Sequence, residues 1–184
     1  GFGSPTSFFS PLLPDYVSAL SAGPAAPAPA PAQQAIYPLL GSATLALLLS
    51  GTFAYLWLRA TTPPGRALAV SLLYLILPYH LAMDLYARFA LAEFWAFAWA
   101  PLILLGQDLA HRGLRQGLPL LILGLALLAF SHLPSLLLMM GLISLRALWF
   151  AWRSRTLAPC WIALGAQGLG LCMAAALLLP ALAD

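Results

Sequence analysis

The sequence predicts an all-α protein, a polytopic bundle of transmembrane helices, and three observations predict it. The chain is 62% hydrophobic and only 7% charged, with a mean hydropathy of +0.93, against roughly a quarter charged residues in an average soluble domain. Its net charge of +3 comes from arginines alone. These stand singly between apolar runs, a dispersal that argues against nucleic-acid binding. Several of the runs approach the roughly 20 apolar residues that a helix needs to cross about 30 Å of hydrocarbon.

The first 34 residues do not fit a span. Leu12 to Leu20 is too short, and with Phe8, Phe9 and Tyr16 it reads as an outer-face juxtamembrane helix anchored by aromatic residues. The alternation "GPAAPAPAPAQQ" that follows favours an extended polyproline II linker over a helix. Residues 35–184 then form the helix bundle. The first span, 35–58, carries no charge, and the second, 67–83, ends near Pro78 and His80. A third, 90–107, contains "FWAFAWAPLILLG".

The fourth and fifth spans need a decision, because Gln116 to Leu145 contains no Asp, Glu, Lys or Arg. A single helix from Leu118 to Phe150 would be about 50 Å long, too long for a bilayer. A turn at "SHLPS", Ser131 to Ser135, divides the stretch into spans 116–131 and 133–150. Pro134 then falls in the first turn of the returning helix, where its missing N–H costs nothing, and Ser131 or His132 can cap it. The sixth span is 161–180. Cys160 and Cys172 fit neither a disulfide framework nor a zinc site and read as core residues.

With this topology Arg59, Arg66, Arg112, Arg115, Arg146, Arg153 and Arg155 share one side, which the positive-inside rule makes cytoplasmic. Asp15, Asp84, Glu93 and Asp184 lie on the other. Arg88 is the one arginine among them. The expected location is the cytoplasmic (inner) membrane, crossed several times. No initiator Met or basic leader precedes Gly1, and the chain is expected to be a piece of a longer protein.

Charged groups near hydrocarbon are costly and tend to face protein or a wet cavity, so "YHLAMDLYARFALAEFWAFAWAPL", Tyr79 to Leu102, is the stretch to question. Asp84 and Arg88 are four apart and share a helix face, whereas Glu93 reaches Arg88 only if the chain bends. Tyr79, His80, Tyr86 and Trp95 add polar and stacking groups. Two readings stand here. Asp84 and Arg88 form an interfacial salt bridge, or Arg88 holds an anionic ligand such as a lipid phosphate while Asp84 or Glu93 orients it. His132 reads as a cap or turn residue that could also line the same cavity. There is no metal-ligand cluster, HExxH, P-loop or GxSxG elbow.

"LPYHLAMDLYARFALAEFWAFAWAPLILL" resembles the P-Y-x-x-x-D-L-Y-x-R-G-A-L-A-E-x-x-A-x-x-x-x-P-L hallmark of bacterial membrane proteins labelled 6-pyruvoyl-tetrahydropterin synthase-related, which are related to GT-C glycosyltransferases. "GFGSPTSFFSPLLPDYVSAL", "SHLPSLLL" and "LLLPALAD" resemble three further segments of that family, so the likeness covers nearly the whole chain. Phe89 departs from the usual Gly and Asp184 from the common Glu. The resemblance implies a GT-C-like bundle with an outward-facing cavity for a polyprenyl-phosphate-linked sugar. Asp84, Tyr86, Arg88 and Glu93, and more weakly His132 and His80, would be cavity or structural residues. The catalytic carboxylate of such enzymes follows their first transmembrane helix. This chain would begin after it, and Asp15 is a poor substitute. Such an enzyme uses a carboxylate as general base on the acceptor, and a divalent metal in the full-length protein can assist by neutralising the leaving phosphate. The alternative implied by the same charges is a non-catalytic transporter or flippase-like protein; in either case the partner is membrane lipid.

Overall fold

A computed structural model describes residues 12–21, 32–78 and 90–183. Among these residues the structure is helical throughout, with α1 (Leu12–Ser21), α2 (Ala32–Arg59), α3 (Pro64–Leu75), α4 (Leu91–His111), α5 (Gly117–Ser131), α6 (Leu133–Ser154) and α7 (Ala158–Ala183). Helices α2 to α7 fall on the six stretches expected as spans, the second of which, 67–83, runs on beyond the described residues, and three of the six have the length and hydropathy of a span. Ile36–Arg59 of α2, all of α6 and Ala158–Ala175 of α7 are long and apolar enough to cross a membrane. Their outward faces carry exposed Leu48, Leu137, Leu138, Leu145, Trp152 and Leu164, a surface suited to lipid.

Helix α4 is the centre of the bundle, and eleven of its 21 residues are buried. It packs between α2 and α5, while α5 lies against α4 and α7 and α6 packs on α7. Glycines allow the closest of these approaches. A Cβ on Gly106 would lie 2.5 Å from the backbone nitrogen of Leu121, and one on Gly117 would collide with the backbone of Ala110. Farther along, Gly124 abuts Ile103 of α4 and Gly170 of α7 abuts Leu125 of α5. The α4–α5 pair is thus in backbone contact, as small residues permit in membrane helices.

Pro101 interrupts α4 and, lacking an N–H, leaves the carbonyl of Phe97 without its helical donor. Two neighbouring helices supply replacements. The Ser50 hydroxyl of α2 donates to this oxygen at 3.3 Å and the Tyr74 hydroxyl of α3 at 2.8 Å. In an apolar surrounding an unpaired carbonyl costs several kcal/mol, so the proline fixes where α2 and α3 dock.

Several boundaries differ from the expected ones. α2 begins at Ala32, so the end of the supposed Ala-Pro linker is helical. α3 begins at Pro64, whose fixed φ suits a first helical turn, and α4 continues past Gln107 to His111. α6 runs on to Ser154, and α7 starts at Ala158. The α5–α6 turn is a break at one residue, His132, whose backbone is extended at φ −158° and ψ 102°. Ser131 is buried rather than exposed and does not cap α6; it accepts a hydrogen bond from the Trp99 indole at 2.9 Å and donates to Leu127. His132 occupies the cap position without a side-chain capping bond. Cys160 is half-buried against the core, but Cys172 is exposed. α7 buries its small face of Ala163, Ala166, Gly170 and Ala174 instead. Segment α1 does more than rest on a surface: Leu13 and Val17 pack on the core, Pro14 is buried, and Tyr16 remains exposed.

Candidate functional site

Antiparallel packing sorts the polar groups to two ends. Arg59, Arg66, Arg112, Arg115, Arg146, Arg153 and Arg155 all lie in the half of the bundle that holds the α2–α3, α4–α5 and α6–α7 turns. Glu93, Ser42, Ser131 and His132 lie at the other. At this second end the indole of Trp95 donates to Ser42 at 3.0 Å and stacks on Trp99, with ring centroids 5.4 Å apart.

Between α4 and α6 at that end runs an open groove of about 330 Å³, lined by Glu93, Ala96, Phe97, Ala100, Ser135, Leu138 and Met139. The wall is apolar except for Glu93 and Ser135. His132 joins it through a 2.7 Å hydrogen bond between its Nδ1 and the Ser135 hydroxyl. Of the residues singled out in the sequence, Glu93 therefore lines the groove and His132 stands behind its wall, bonded to Ser135. His80, Asp84, Tyr86 and Arg88, with the expected Asp84–Arg88 pair, lie outside the described residues.

The opposite end contains a polar junction that the sequence reading passed over. Asp108, in the last turn of α4, pairs with Arg146 of α6 and accepts a 2.9 Å hydrogen bond from the Trp57 indole of α2. One carboxylate thereby ties three helices. Beside it the Gln107 amide donates to the Ile143 carbonyl at 2.9 Å, and Arg112 donates to Ala60 at 3.1 Å. Arg146 also lies over the Phe150 ring, 5.7 Å from its centroid. With its charge matched and its oxygens filled, Asp108 has the coordination of a structural brace. The signal that could have found it is simple: it is an acid in a helix end surrounded by arginines.

Among the described residues no group of three or more His, Cys, Asp or Glu side chains is placed to hold a metal ion. The fold and its sites define a helical protein whose apolar helices suit a membrane, with a charge-tied end and a grooved end. Comparison with protein-family models, with curated proteins and with solved structures finds no match to this chain.

Proposed function

We propose that this chain forms part of an integral membrane protein of GT-C-like architecture, acting on a polyprenyl-phosphate-linked sugar at the outer face of the cytoplasmic membrane. The observation that carries the reading is the α4–α6 groove, a mainly apolar channel with a carboxylate and a hydroxyl at the end remote from the arginines. A polyprenyl chain requires an apolar, laterally open track, and Leu138 on its wall is 76% exposed. A phosphate-linked sugar requires polar groups at one end of that track, which Glu93, Ser135 and His132 supply. With the arginines on the cytoplasmic side, the groove lies toward the outer leaflet. The "DLYARFALAE" resemblance supports the same placement.

The test is photo-crosslinking of the full-length parent with a diazirine-bearing polyprenyl-phosphate sugar. Leu138→Trp, which fills the groove, should abolish labelling, and Glu93→Gln should lower sugar transfer more than labelling. Unchanged labelling in Leu138→Trp overturns the reading. Labelling without transfer in the parent protein assigns the non-catalytic carrier role instead.

A further inference from the structure

The arginine end holds a second cavity, of about 370 Å³, at the α6–α7 turn. Its wall combines His111 of α4, Phe150, Arg153 and Ser154 of α6, Thr156 of the turn and the first turn of α7. Such a volume lies in the range of small-ligand sites. Arg153 differs from Arg146, two turns earlier on the same helix. Arg146 is neutralised by Asp108, whereas among the described residues Arg153 has no carboxylate partner and rests over the Trp149 ring, 5.8 Å from its centroid. No acidic residue lines the cavity.

The other polar groups favour an anion as well. Ser154 donates its one proton to the Phe150 carbonyl at 2.8 Å, so the Thr156 hydroxyl donates to Ser154 at 3.2 Å, a long contact that it can exchange for a bond to a ligand. The N-terminus of α7 adds a partial positive charge. The setting distinguishes a lipid from a soluble anion: Trp152, Leu157 and Trp161 around the turn are exposed, the arrangement by which indoles mark the headgroup level of a bilayer.

We propose that this cavity binds the phosphate of an anionic phospholipid headgroup, with Arg153 as the charged donor and Thr156 as the second contact. The site is separate from the polyprenyl groove in position and in residues. Retention of lipid by the full chain, purified in neutral detergent, tests it by native mass spectrometry with phosphatidylglycerol and phosphatidylcholine as probes. Phosphatidylglycerol should be preferred, and Arg153→Gln should reduce its binding about tenfold, the loss of roughly one charge-assisted contact. Arg155→Gln, which removes an equal charge outside the cavity wall, should change binding less than about twofold. Equal losses in the two variants, or equal binding of the two lipids, overturn the proposal. Binding of inorganic phosphate without binding of phosphatidylglycerol overturns it in favour of a soluble anion. If Arg153→Gln lowers the folded yield, Thr156→Val takes its place: weakened phosphatidylglycerol binding at normal yield upholds the site, and unchanged binding overturns it.

Discussion

At the Glu93 end of the bundle, indoles donate to serines, Trp95 to Ser42 and Trp99 to Ser131, and the helices leave a groove between them. At the arginine end one carboxylate gathers Trp57, α4 and Arg146, and α2, α4 and α6 are tied around it, beside the cavity at the α6–α7 turn. Neutral hydrogen bonds contribute about 1 kcal/mol each and can be lost singly. A partly buried ion pair does not fail in the same way, because removing one partner strands the other. The difference suits a groove whose walls can part around a ligand and a brace that fixes the register of three helices.

Asp108→Ala should give the largest effect, about 3 kcal/mol of destabilisation, since Arg146 is left half-buried and unpaired. A thermal melt of the detergent-solubilised protein measures it, and adding Arg146→Met should restore much of the loss. If the double variant is no better than the single one, the pair is not what ties this end. At the other end Ser131→Ala, which removes the hydroxyl that accepts from the Trp99 indole, should cost about 1–2 kcal/mol. A cost as large as that of Asp108→Ala would erase the contrast between the ends. Smaller still is Arg155→Gly: Arg155 sits in the left-handed region at φ 58°, where glycine relieves about 1 kcal/mol of strain, so its melting temperature should rise. Cysteine labelling sharpens the comparison without altering stability. In a background free of Cys160 and Cys172, Ser154→Cys and Ser21→Cys should react from opposite faces of the membrane, and reaction from the same face would break the assignment of the ends.

Much of this fold was legible because the signals were strong and local. The charge-free run Gln116 to Leu145 had to break to fit a bilayer, and it breaks at His132, two residues before Pro134. The arginine spacing likewise anticipated which turns share an end. Asp108 escaped because the apolar run was ended at Gln107, and a helix that continues into polar sequence does so for reasons outside itself, here Trp57 and Arg146. Ser131 was read as a cap because capping is a local rule, but its partner is an indole 32 residues away. The same holds for Phe97: Pro101 is plain in the sequence, whereas Ser50 and Tyr74, which answer it, belong to other helices.

The backbone contact between α4 and α5 bears on how the protein is made. Helix α5 has 15 residues, about 22 Å of rise, less than the thickness of hydrocarbon, and where it meets α4 the glycines at 117 and 124 offer no side chain. Helix α4 carries Glu93 and Asp108 near its two ends, each costly for a lone segment leaving the translocon. Neither is a good candidate to enter the bilayer alone. Joined by the short 112–116 link, they are suited to partition as a hairpin, and Asp108 then awaits Arg146, which emerges from the ribosome 38 residues later. The brace can close only after α6 has been synthesised, so a chain arrested before that point holds Asp108 without its arginine.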